Sequence, residues 1–235
     1  MAIVNGNVIG NLSEKLGNLS ARTVDGRTVL AARPSSFNAS QEPAVMEVRQ
    51  KFSVTAKFAS AVLALASLVS IWKKVKNIAG SVFNEVFQNN FSHSATDKPT
   101  ENNILVPEGF PLQIAIAAVA ADKVTATIPI LNTASVFGAD EVNLSANALV
   151  CYHEPANAED EPYKIISLSK EVAAYNFAQT YDLEIELNAT QKNIAAKYQH
   201  NILYVCVVTK TADGKVVQNS STFTKLHSPN SARAA

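Results

Sequence analysis

Apolar positions change period twice along the chain. Two alternating runs, Leu19–Val24 and Arg27–Arg33, flank Asp25-Gly26. Asp-Gly accepts the positive φ angles of a tight turn, so the pattern predicts a β-hairpin. Pro34 has no N–H for a ladder and closes its second strand. From Pro43 to Asn77 the spacing lengthens: Val45, Val48, Phe52, Ala56, Phe58, Val62, Leu65, Val69 and Trp72 recur at three- and four-residue steps. This predicts one long helix, with Ser40 placed to cap it and Pro43 at a position where a missing N–H costs nothing. From Phe58 onward the pattern is apolar on nearly every side, which predicts burial all round. Gly80 interrupts the run, and Ile78, Val82, Phe83, Val86, Phe87 and Phe91 form a second stripe, expected as a second helix folded back on the first.

Asn89 to Gly109 is polar and carries Pro99 and Pro107, the composition of a linker. Beyond it the period becomes two. Candidate strands cover 112–119, 123–131, 144–153, 163–170, 181–188, 201–209 and 215–226, and Asp213-Gly214 turns the last pair into a hairpin. Pro129 marks an edge or bulge in the second of them. Seven short strands separated by turn signals predict an antiparallel β-sandwich of immunoglobulin or fibronectin type. The expected fold class is therefore α+β: a β-hairpin and a helical hairpin followed by that sandwich. The expected divisions are a Gly-rich arm and hairpin at 1–40, a helical region at 41–95, a linker at 96–111, the sandwich at 112–228 and a tail at 229–235. Cys151 and Cys206 fall on the third and sixth strands. An immunoglobulin bridge joins the second and sixth, so these read as two buried thiols.

Two stretches together resemble a known family. The first holds Gly10, Gly17-Asn18, Gly26-Arg27-Thr28-Val29, Arg33-Pro34 and Arg49-Gln50-Lys51-Phe52. The second holds Tyr204, Ala212-Asp213-Gly214-Lys215 and Asn219-Ser220. The chain is similar in this order to proteins of about its length found in Bacteroidota and known only as a domain of unknown function. Arg27 departs from that pattern, where lysine is usual. The resemblance implies a glycine-rich N-terminal hairpin, a helical middle, a C-terminal sandwich and a bacterial or bacteriophage source. It implies no activity.

Composition narrows the function classes. The chain has 235 residues, with 20 basic and 20 acidic side chains, and this balance argues against a general nucleic-acid binder. The distribution is uneven. Residues 1–76 carry ten Lys/Arg and four Asp/Glu, whereas residues 139–187 carry ten acids and two Lys. Opposite charge on two segments can favour head-to-tail contact between subunits. The start lacks a basic and then apolar leader, so no secretory signal is expected. The uncharged stretch Phe58–Trp72 is shorter than the ~20 residues of a membrane span. The expected location is the cytoplasm or an assembled particle, with no membrane partner.

Candidate chemistry is sparse. His93, His153, His200 and His227 have no metal-ligand spacing, so neither a metal nor another cofactor is expected. Cys151 and His153 share one face of a predicted strand, which leaves a nucleophile pair as a minor alternative. Glu154, Glu159, Asp160 and Glu161 form an acidic loop without the alternating spacing of a Ca²⁺ site. Arg22, Arg27 and Arg33 on the hairpin can grip phosphates, but no interleaved aromatics accompany them. The primary expectation is a non-enzymatic structural protein that assembles with copies of itself, and with other assembly proteins, into a filament, sheath or phage-type shell. Its candidate contact residues are Arg22, Arg27, Arg33, Phe58, Val62, Leu65, Val69 and Trp72. The alternatives are a monomeric immunoglobulin-like module that binds a protein or glycan and, last, a small enzyme.

Overall fold

The computed structural model describes residues 2–4, 14–16, 19–24, 27–32, 39–75 and 80–227. The chain divides into two compact units, Met1–Met46 and Glu47–Ala235. The first holds a four-stranded antiparallel sheet of β1 (Ala2–Val4), β2 (Glu14–Leu16), β3 (Leu19–Val24) and β4 (Arg27–Ala32), in the order β1-β4-β3-β2. Val24 pairs with Arg27, so β3 and β4 are joined by the two-residue connection that Asp25-Gly26 predicts. The two outer strands were not expected. The prolyl stop at Pro34 lies outside the described residues.

The second unit is a mixed α+β body with, among the described residues, four α-helices, a larger antiparallel sheet and a smaller one. Helix α1 (Pro43–Leu63) begins one residue after Glu42, whose N–H donates to Ser40 Oγ at 3.3 Å. The expected single helix is broken: α2 (Ala66–Val75) leaves α1 at 108°. No Pro or Gly stands at Ala64-Leu65, so packing rather than propensity sets the bend. A straight helix of that combined length would run about 50 Å. The bend instead lays Val62, Leu65, Leu68 and Ile71 on one sheet, all of them buried. Helix α3 (Val82–Phe91) starts at Ser81, whose Oγ accepts from Asn84 N–H, and packs back on the first two as predicted.

The strands follow the predicted order, except that the single strand expected at 215–226 is broken in two: β5 (Ala117–Val119), β6 (Lys123–Ile128), β7 (Glu141–Pro155), β8 (Tyr163–Val172), β9 (Tyr181–Glu186), β10 (Tyr198–Thr211), β11 (Val216–Asn219) and β12 (Phe223–His227). Pro129 ends β6 rather than bulging it. The smaller sheet is β5-β6-β9. The larger is β11-β10-β7-β8, and β12 continues the β11 edge along β10. Gly214, at φ +80°, carries the predicted β10–β11 turn. One helix was missed: α4 (Ala189–Ala195), opened by a capping box between Asn188 and Gln191.

The central pair β7–β10 is buried on both faces. Ala146, Ala148, Val150, Leu203, Val205 and Val207 pack with Val124, Ile128 and Leu183 of the smaller sheet. Leu149, Cys151, Ile202, Tyr204 and Cys206 pack with Phe58, Leu68, Ile71 and Trp72 of the helices. The helices are thus a third layer of the same body rather than a separate domain. The expected linker at 96–111 is part of it too. Trp72 Nε1 donates to Leu105 O at 2.8 Å, and Asn90 Oδ1 accepts from Ile104 N at 2.8 Å and from Asn103 Nδ2 at 3.0 Å. Phe110 bridges the gap between β11 and β12, donating to Asn219 O and accepting from Ser221 N. A Cβ at Gly109 would lie 2.3 Å from Asn219 O, so this approach requires glycine. Polar composition read as a linker because asparagines and hydroxyls, unlike apolar residues, leave their burial unmarked in sequence.

Among the described residues no single helix is long and apolar enough to cross a membrane.

Candidate functional site

The helical contact residues expected from sequence face inward. Phe58, Val62, Leu65 and Trp72 are 0, 0, 6 and 1 % exposed, and Val69 is half-buried. Phe58 meets Tyr204 edge to face, with centroids 5.4 Å apart. The chain's own sheet covers them, which removes them as an outward surface. Burial is also not all round, because Ser60 and Ala64 are exposed. Arg22 and Arg27 lie on β3 and β4, and Arg33 lies outside the described residues.

The outward apolar surface lies about two to three helical turns before Phe58. Val48 and Phe52 are 58 % and 55 % exposed. Phe52 meets Phe87 of α3 at 4.6 Å, and Phe87 continues to Phe83 at 6.2 Å and Phe91 at 5.5 Å. Phe83, Phe87 and Phe91 are each half-buried. The periodicity explains the ladder: steps of four place them on one helix face. Lys51 Nζ lies 5.2 Å from the Phe91 ring centroid and donates to Ser92 O at 3.4 Å. The Arg49-Gln50-Lys51-Phe52 quartet therefore sits at this surface rather than in the core. Beside it runs a groove of about 600 Å³ between α1 and the free edge strand β8, lined by Phe52, Ala56, Lys57, Tyr163 and Ile165 among others. Glu161 pairs with Lys57 at 3.5 Å and with Lys164, and these pairs hold its carboxyl below the usual range, Lys164 most strongly.

The remaining candidates are accounted for individually. Cys151 and Cys206 are free and buried in the helix-facing core. Burial pushes the Cys151 thiol up to about 12, the wrong direction for a nucleophile. Glu154, at φ 58°, reaches His153 Nδ1 at 3.5 Å and His200 Nε2 at 3.0 Å, and the two imidazoles stack at 5.5 Å. Burial first, and Lys98 second, hold His153 below its ordinary value. Asp160 pairs with Lys197 at 2.6 Å. Glu154, Asp160 and Glu161 thus meet separate cationic or imidazole partners rather than converging. Among the described residues no group of three or more His, Cys, Asp or Glu is placed to hold a metal ion.

A second recess lies at the opposite end of β7, where the 129–140 and 173–180 loops meet. It holds Phe137 and Phe177, stacked at 4.2 Å with 17° between their planes. Sequence reasoning missed it. The aromatic spacing across two loops has no period, and only Gly138 hinted at a turn.

No family model matches the chain, and no curated protein matches it. Among solved structures, a beta-glucosidase from Kluyveromyces marxianus in complex with glucose aligns at 10% identity and a TM-score of 0.22 over 65% of this chain and 19% of that one. A selenomethionine-labelled form of the same enzyme aligns at 9% identity and a TM-score of 0.19, over 61% of this chain and 17% of that one. The chain spans less than a fifth of either match, and likenesses this faint carry no argument about fold or activity.

Proposed function

We propose that this chain is a non-enzymatic structural protein that assembles with copies of itself, and that the outer face of α1 and α3 carries the contact. One observation carries the reading: Phe52 and the Phe83–Phe87–Phe91 ladder form a contiguous, partly exposed aromatic face, with Val48 exposed one helical turn before Phe52, beside an apolar groove and a sheet edge, β8, that pairs among the described residues with β7 alone. Patches of this kind mark interaction sites on soluble proteins, and free strand edges accept further strands. The small N-terminal sheet supports it. Among the described residues, its outer strands β1 and β2 each pair with one neighbour. The positive first third, with Arg22, Arg27 and Arg33, and the acidic 139–187 segment complement each other in a head-to-tail arrangement. The sandwich itself we read as fibronectin-like: its sheets unite the first, second and fifth strands, and the fourth, third, sixth and seventh. A filament, sheath or phage-type shell fits this combination.

The test is the mass of the full chain by light scattering after size exclusion, beside a Val48→Ser/Phe52→Ser variant. The native chain is expected to run as an oligomer and the variant as a smaller species with its stability changed by no more than about 0.5 kcal/mol per site. A native chain that stays monomeric at high micromolar concentration overturns the proposal.

A further inference from the structure

The recess at the loop end of the sandwich is a built site, independent of the assembly face. Its volume is about 620 Å³, within the ~300–1,000 Å³ common for ligand pockets. Both loops that form it are tied to the strands by buried or half-buried polar groups. Glu141 takes Gln218 Nε2 at 3.0 and 3.1 Å, Gly138 N at 2.8 Å and the Thr209 hydroxyl. The same Gln218 Nε2 also holds Val136 O at 3.1 Å. On the other loop, Asn143 Oδ1 accepts from Ala174 N at 3.1 Å while its amide donates to Thr211 O at 3.1 Å. The loops also hold each other: Leu131 and Asn132 N–H groups donate to Phe177 O at 3.0 and 3.1 Å. Ala174 is kept at φ 51°, a strained conformation for a residue with a Cβ.

What these ties present is neutral and mixed. The lining holds Phe137, Phe177, the exposed amides of Asn132 and Asn176, and the half-buried Ser135 hydroxyl, which donates to Gln218 Oε1 at 2.9 Å, with no charged side chain. Val136 at the rim is 91 % exposed. Tyr175 also lines the recess at 7 % exposure, and among the described residues its hydroxyl has no hydrogen-bond partner. A buried phenol without a partner calls for one. The cavity at the other end of β7 differs: its Lys98, Glu154 and Asp160 are paired with Asp97, the two imidazoles and Lys197.

We propose that the 129–140/173–180 recess binds a neutral saccharide. A sugar ring offers a C–H face that suits an aromatic pair, bordered by hydroxyls that both donate and accept, as amides and hydroxyls do. An acidic or phosphorylated ligand would find no cation here, and a purely apolar one would strand the amides.

The test is isothermal titration of the full chain with laminarin, xylan, glucomannan and maltoheptaose, alongside Phe137→Ala and Asn132→Ala variants. Asn132 is exposed, so its variant keeps the fold, which the fluorescence of the single Trp72 reports from the opposite layer. At least one probe is expected to bind, with affinity reduced about tenfold in each variant. Two results overturn the proposal: no probe binds at millimolar concentration, or binding is unchanged in both variants.

Discussion

The inner and outer faces of the helical layer are made of the same residue types and have opposite surroundings. Phe58, Val62, Leu68 and Trp72 lie under β7 and β10, while Val48 and Phe52 on the same α1–α2 run stand more than half exposed. Sequence hydrophobicity ranked the first set as the surface in need of a partner because it is the denser run. Density is what a two-sided sheet requires of its cover, so the denser run found its partner within the chain. The thinner run, spaced for one helix face, outlasts the edge of the sheet. An apolar stripe identifies an interface only after the chain's own surfaces have been matched to it.

The sharpest way to break this comparison is to truncate the inner face. Phe58→Ala empties a fully buried site against Tyr204 and is expected to lower stability by about 3–5 kcal/mol, read by urea denaturation followed at Trp72. A loss no larger than that at Phe52 would erase the distinction between the faces. Next in size is the seam that fastens the helices to the 92–112 segment. Asn90→Ala leaves the Ile104 N–H without its acceptor and Ile104 O without the Asn90 amide, and is expected to cost about 1–3 kcal/mol in the same measurement. Smallest is the pH response of the inner layer's rim. Burial is the leading cause that lowers the pKa of both His153 and His227, so each prefers its neutral form in the fold. Their contribution is therefore present above about pH 6.5 and lost as pH falls toward the lowered values. The urea midpoint should decline between about pH 7 and about pH 5, and His153→Asn should flatten the decline. A midpoint rising over that window would contradict the direction.

Much of the fold was legible because its signals are local. The strand order from β5 to β12, the two thiols and the Gly214 turn follow from a two-residue period and glycine punctuation. The 108° bend after Leu63 was not, because no residue there is a poor helix former and the sheet beneath supplies the cause. Nor was the role of Asn90 and Asn103, whose side chains read as solvent-facing until their partners are known. Helix α4 was readable in principle from Asn188 and Gln191, a spacing that reports a capping box. The two candidate surfaces were the least legible. Phe83, Phe87 and Phe91 announce a stripe but not which way it turns, and Phe137 and Phe177 are brought together only by ties to Glu141, Asn143 and Gln218.

The pairing of β7 with β10 has a kinetic consequence. Its register joins Thr211 to Glu141 and Tyr198 to Pro155, so β8, β9 and α4 all lie inside the loop it closes. The hairpins β7–β8 and β10–β11 need only short closures, which take microseconds. Closing the larger loop forfeits chain entropy before any of the two cores can form on either side of the pair. Folding of this body therefore waits on non-local pairing, and the helices, waiting for the sheet that will cover them, stay exposed until β7 meets β10.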